Sequence, residues 1–146
     1  MLKGIDPLLG PELLAFLRQA GHGDEIAIVD ANFPAAAHAK RLVRLDGLAA
    51  PRVVAAIVSV LPLDDFVPHA AFRMAVTNDP KSIPPVCREF ESVLERAGYR
   101  AAIEPIERSA FYARAREAFA VVATGETRLW GNLILKKGVV RPENPA

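Results

Sequence analysis

Cysteine is nearly absent from this chain of 146 residues, with Cys87 standing alone. One thiol can form no intrachain disulfide and has no second thiol for a zinc cluster, which points to a reducing compartment, the cytoplasm. A strong charge of either sign is also missing. Eighteen Lys and Arg against seventeen Asp and Glu leave a formal net charge of +1. That is too little for the broad positive field that nucleic acid or an anionic membrane would need, so neither is expected as a partner. Neither a basic-then-apolar leader nor an apolar run of about 18 residues is present, and a soluble protein is expected.

Signatures of cofactor chemistry are lacking as well. No GxGxxG follows a strand and no GxxxxGK(S/T) occurs, so there is no recognisable cradle for a dinucleotide or nucleoside triphosphate. The histidines, His22, His38 and His69, lie far apart without HxH or HExxH spacing, so no metal is expected. There is no GxSxG elbow, and Ser109 and Cys87, both on helices, carry no local sign of activation. Cys87 reads as buried filler.

What is present describes a globular chain: 51% of residues are hydrophobic and 24% charged. A chain of this length fits one domain, spanning residues 1–146, with a core that needs no staples. The apolar content exceeds what a soluble monomer needs, so part of the surface is expected to close an interface between copies.

Periodicity divides the chain into alternating elements. "PELLAFLRQAG" starts with Pro11 and sets Leu13, Leu14 and Leu17 on one helical face before Gly21 stops it. "EIAIVD" reads as a buried strand, and "ANFPAAAHA" after it as a loop. "KRLVRLDG" reads as a strand, "PRVVAAIVSVLP" as a helix and "AAFRMAV" as a strand. "PPVCREFESVLERAG" is a helix burying Val86, Phe90, Val93 and Leu94, followed by the strand-like "YRAAIEPI". "RSAFYARAREA" is helical again, and "FAVVATGE" and "NLILKKGVV" are two more strands joined by "TRLWG". Such alternation predicts an α/β fold, a three-layer α/β/α sandwich around a mixed sheet.

One stretch carries an ionisable pair, "GHGDEIAIVDANFP", residues 21–34. His22 lies between two glycines, where the backbone can turn sharply and present the imidazole. An imidazole, with an unperturbed pKa of about 6.5, serves as acid or base at cellular pH, and a carboxylate such as Asp30 can hold a substrate hydroxyl. The plainer alternative makes His22 a helix-terminus residue and Asp30 a turn cap. A strand through "EIAIVD" would set the two up to roughly 20 Å apart, so one extended chain cannot bring both onto one small molecule. Either the flanks curl back, or His22 of one subunit faces Asp30 of another.

Arg108 and Tyr112 near a helix start, with Trp130 and Asn132 around a turn, form a set suited to a sugar. Hydroxyls need directed donors and acceptors while the C–H face stacks on a ring. Each has an ordinary alternative: surface charge for Arg108, core packing for Tyr112, interface anchor for Trp130, turn-former for Asn132.

The blocks "GHGDEI…DANFP" and "TGE…GN…LKKGV", within a pattern running from residue 1 to about residue 140, resemble the L-fucose mutarotase branch of the RbsD/FucU family. The resemblance implies an α/β/α sandwich assembled into five-membered rings that often pair into decamers, with sites between neighbouring subunits. It implies an isomerase that interconverts the anomers of a free monosaccharide without a cofactor. His22 would be the acid/base, and Asp30, Arg108 and Trp130-Gly131-Asn132 the sugar ligands. Arg108 falls where the ribose pyranase branch tends to carry histidine, and Trp130 replaces the family's usual tyrosine. The open alternatives are pyranose/furanose exchange of the ribose pyranase type and a sugar-binding protein without catalysis.

Overall fold

A computed structural model describes residues 1–143, so the last three residues of the domain expected over 1–146 lie outside the described residues. Helix α1 (Pro11–Gln19) leads into β1 (Glu25–Val29), a single helical turn α2 (Ala35–His38) and β2 (Leu42–Leu45). Helix α3 (Ala50–Val58), β3 (Ala71–Met74), α4 (Pro85–Arg96) and β4 (Glu104–Ile106) follow. The chain then forms α5 (Arg108–Glu117), β5 (Ala120–Thr124) and β6 (Leu133–Lys136). The six strands form one sheet in the order β2-β5-β1-β6-β3-β4. Strand β6 is antiparallel to both its neighbours, β1 and β3, while the other pairings are parallel.

Strand periodicity divides the core into two layers. Ile26 and Ile28 of β1 face α1, α3 and α4, and Ala27 and Val29 face α2 and α5. Strand β5 alternates in the same way, with Val122 on the first face and Val121 and Ala123 on the second. A strand sandwiched between helices has no polar face, which is why these segments read as apolar runs. Helix α4 contributes Val86, Cys87, Phe90, Val93 and Leu94 to the first layer. Burying a large apolar side chain is worth about 1.5 to 3 kcal/mol, which outweighs the modest helix propensity of valine and phenylalanine. The three-layer α/β/α sandwich is therefore as expected.

Two segments differ from the sequence reading. Residues 35–38, expected as loop, form the turn α2, because Ala35 is buried against the sheet and alanine costs the helix nothing. "YRAAIEPI" yields only the three residues of β4. Pro105 lacks an N–H, and β4 is an edge strand paired on one side alone, where proline is tolerated but adds no ladder.

Gly125, just past β5, lies against the backbone of the β2–α3 turn. A Cβ there would overlap the Asp46 carbonyl. Gly125→Ala is expected to destabilise the chain by about 1 to 3 kcal/mol, the cost of overpacking, measured by urea denaturation. No helix among the described residues is long and apolar enough to cross a membrane.

Candidate functional site

Five strands run in one direction, so the carboxyl ends of β1, β3 and β4 lie at one edge of the sheet. The antiparallel β6 brings its amino end to that same edge, between β1 and β3. In open α/β sheets, ligand crevices form outside the carboxyl ends of the strands. Here a cleft of about 200 Å³ is lined by Asp30, Phe33, Met74, Arg108, Tyr112, Trp130 and Asn132, among others.

Asp30 and Asn132 are held as a reciprocal pair. The Asn132 Nδ2 donates to Asp30 Oδ2 at 2.7 Å, and the Asp30 backbone N–H donates to Asn132 Oδ1 at 2.9 Å. This pairing fixes the amide orientation, since the flipped amide would set its oxygen against a carboxylate. The Asn32 N–H donates to Asp30 Oδ1 at 3.0 Å. Asp30 is 8% exposed, and burial raises its pKa above the ordinary aspartate range despite these hydrogen bonds.

The turn before β6 is tightly specified. Trp130 has φ +69°, a left-handed conformation rare for a bulky residue, and its carbonyl accepts from Asn132 N–H at 2.8 Å. Gly131 lies against Glu126, whose Cγ would be 2.6 Å from any Cβ at that position. A glycine is needed there because the buried Glu126 occupies the space a side chain would take. Behind the turn, the Cys87 thiol donates to the Trp130 carbonyl at 3.6 Å. Burial pushes the Cys87 pKa up to about 11, so it is an inert thiol, in keeping with its reading as filler.

The opposite wall comes from α5. Tyr112 stacks on Phe33 at 5.1 Å between centroids, and His38 packs on the Tyr112 ring at 5.4 Å. Arg108 is exposed and reaches the Tyr112 hydroxyl at 3.4 Å. A cation at a helix amino terminus opposes the helix dipole. Glu107 offsets it, accepting from Ser109 N–H at 2.9 Å and Ala110 N–H at 3.2 Å. This cap was missed in the sequence, because glutamate is not among the residues that usually mark an N-cap.

His22 lies elsewhere. It occupies the turn before β1, at the amino end of the sheet, separated from Asp30 by the whole of β1. The turn is closed by the Asp24 carboxylate accepting from Gly21 N–H at 2.7 Å and by Gly23 at φ +87°. Lys137 holds it to β6 through Gly23 N–H to Lys137 O and Lys137 N–H to Asp24 O, both 2.8 Å. The imidazole Nε2 is 3.1 Å from Oδ1 of Asp64, a residue only 5% exposed, and its ring packs on the exposed Phe66. Burial works against ionising Asp64, but the Phe66 N–H and His22 together hold its pKa below the ordinary range. An ionised carboxylate only accepts, so Nε2 carries the proton and Nδ1 is left as the free nitrogen of a neutral ring. Nothing in "PLDDF" distinguishes Asp64 from Asp65 as that partner. The pairing is a tertiary event.

The cleft thus gathers Asp30, Arg108, Tyr112, Trp130 and Asn132, with Gly131 beneath its rim, while His22 and Asp64 form a second centre at the far edge. Among the described residues, no group of three or more His, Cys, Asp or Glu is placed to hold a metal ion.

The family model described as the RbsD / FucU transport protein family matches residues 3–140. The chain is 48% identical to the fucose mutarotase of Bos taurus, covering 99% of this chain and 97% of that one. It is 41% identical, at a TM-score of 0.89, to the fucose mutarotase of Streptococcus pneumoniae solved in complex with L-fucose, covering 96% of this chain and all of that one. RbsD of Bacillus subtilis, solved with D-ribose, is 25% identical at a TM-score of 0.72 over 97% of this chain and all of that one. With a matching fold and likeness in sequence along nearly the whole chain, the chain belongs to the RbsD/FucU family.

Proposed function

We propose that this chain is a fucose mutarotase, an isomerase that interconverts the α and β anomers of free L-fucose and requires no cofactor. The observation that carries the reading is the Asp30–Asn132 cleft, in a chain that matches fucose mutarotases along nearly its whole length. The likeness to the mutarotase solved with L-fucose is closer, in identity and in fold, than that to the protein solved with D-ribose. This favours anomer exchange of fucose over ring-size exchange of ribose.

In the chemistry, the ring oxygen gains a proton as the anomeric hydroxyl loses one. The bond from C1 to the ring oxygen breaks to an aldehyde, which rotates about C1–C2 and recloses on its other face. A neutral imidazole with Nδ1 free accepts the anomeric hydroxyl proton while water delivers one to the ring oxygen, and both protons return on closure. His22 fills that role, and Asp64 orients it. The cleft does the holding: Asp30 accepts from sugar hydroxyls, Asn132 and Arg108 donate, and Trp130 and Tyr112 offer ring faces to the C–H side.

The two centres must meet across subunits. Five residues of β1 separate them by about 17 Å of strand, far more than a monosaccharide spans. Phe66 beside His22 and Leu129 in the cleft wall are both large, apolar and exposed, an anchor at each half of the site. A single-domain protomer in a homo-oligomer, a pentamer or a decamer of paired rings, fits both facts, and the lone buried thiol supports a cytoplasmic setting.

Saturation transfer between the α and β anomeric proton signals tests the activity. L-Fucose should exchange far above its uncatalysed rate, and faster than D-ribose. Saturable binding without enhanced exchange would leave a sugar-binding protein and overturn the proposal. Light scattering at micromolar concentration should show an oligomer, and a fully active monomer would refute the shared site.

A further inference from the structure

The 126–132 segment carries an ion-pair network that the binding and proton-transfer roles do not use. Glu126 is 3% exposed, an unusual position for a carboxylate. It lies against Gly131 and close enough to Asp30 for their charges to repel. Arg128 reaches back over it as a fork. Its Nε donates to Oε1 at 2.8 Å and its Nη2 to Oε2 at 2.9 Å, while its backbone N–H donates to Oε1 at 3.0 Å. The outer face of the guanidinium is paired with Glu89 of α4. The Ala50 N–H at the start of α3 also faces the Glu126 carboxylate.

Resting on the reading of the cleft as the sugar site, we propose that Arg128 is a positioning residue for it. By neutralising the buried Glu126 it seats Gly131 under the Trp130 turn and keeps Asp30 an anionic acceptor of sugar hydroxyls. Three features carry this. The fork geometry satisfies both Glu126 oxygens, as a buried carboxylate requires. Glu126 is the only other carboxylate facing Asp30 among the groups that perturb it, so its neutralisation falls directly on the ligand. Asp30 keeps unused acceptor capacity, since an ionised carboxylate offers about four lone-pair sites and Asn132, Asn32 and the Phe33 N–H do not fill them. Burial already pushes Asp30 towards its neutral form, and an uncompensated Glu126 would push it further. The remaining ionisable groups facing this cleft, Arg108 and Tyr112 of α5, lie on the opposite wall.

The test combines four variants with two readouts. The readouts are the Asp30 carboxyl titration, followed by ¹³C NMR in sugar-free protein, and KM and kcat for L-fucose anomer exchange across pH. Arg128→Ala should raise the Asp30 midpoint by about one pH unit. It should raise KM about tenfold on the acidic side of neutrality, with kcat at saturation within about threefold of the parent. Arg128→Ala combined with Glu126→Gln should bring midpoint and KM back towards the parent, and Arg128→Lys should lie between. Glu126→Gln alone keeps the side chain's shape and should lower the midpoint, which keeps the proposal falsifiable if Arg128→Ala fails to fold. An unmoved midpoint in Arg128→Ala, or a double variant no better than the single one, would overturn the proposal, because a purely mechanical clamp is not mended by removing the charge it held. If the midpoints move as stated while the parent protein exchanges no fucose, Arg128's action on Asp30 stands and the functional reading fails.

Discussion

Replacing His22 by alanine is expected to lower L-fucose anomer exchange by a factor on the order of 10² to 10⁴ while leaving fold and assembly intact, the range for one positioned proton-transfer group. The side chain is 46% exposed in the protomer and packs mainly on Phe66, so little core is lost with it. Its turn is closed by backbone and Asp24 contacts that the substitution leaves in place. Asp64→Asn should follow it in kind. An amide can donate as well as accept, so it no longer enforces the tautomer that leaves Nδ1 free, and exchange should fall although the ring remains. Saturation-transfer rates at saturating sugar, with circular dichroism and light scattering as controls, decide the matter. Unchanged exchange in His22→Ala would remove the imidazole from the reaction.

The second large effect is expected at Trp130, where the family motif usually carries tyrosine. Trp130→Ala should weaken L-fucose binding by about 1 to 3 kcal/mol, taking base–aromatic stacking as the nearest scale, or roughly 5- to 150-fold in affinity. The indole lines the cleft opposite Tyr112, and its backbone is held at φ +69° by a turn that Asn132 and Gly131 complete, so the ring's direction is set by the fold. Trp130→Tyr discriminates between two uses of the position. If the ring mainly stacks, the phenol preserves the platform, and activity should survive with a modest change in affinity. If a phenol normally belongs to the proton relay, the same change should raise turnover or extend the reaction to pyranose/furanose exchange. Stacking is the expected outcome, because an imidazole oriented by a carboxylate, as His22 is by Asp64, can complete the proposed transfers with water and without a phenol. Titration of L-fucose and D-ribose against both variants, with exchange rates for each, separates the cases. Parent-like affinity in Trp130→Ala would take the residue out of the site.

The sheet and its helices were legible because burial on both faces leaves a plain mark in sequence. The unbroken apolar runs "IAIV", "AVVA" and "LIL" are central strands covered on each side, and the spacing of Val86, Phe90, Val93 and Leu94 is one face of α4. The elements that strayed were those held by few contacts. A four-residue turn and a three-residue edge strand are too short for periodicity to register, and Pro34 and Pro105 read equally well as loop.

The order of the strands was not legible, and the site depends on it. Inserting β6 antiparallel between β1 and β3 sets Asn132 against Asp30, residues 102 apart in the chain. The same topology carries His22 to the opposite edge and gives it Asp64, 42 residues away. Local sequence by itself determined which segments become helix or strand, which faces are apolar and that a lone histidine is presented between glycines, because each of these follows from side-chain spacing and backbone freedom over a few residues. Only the tertiary structure decided which carboxylate meets which donor, Asp30 with Asn132 and Asp64 with His22. Those pairings depend on distances through space between segments far apart in the chain, which spacing along the chain does not encode.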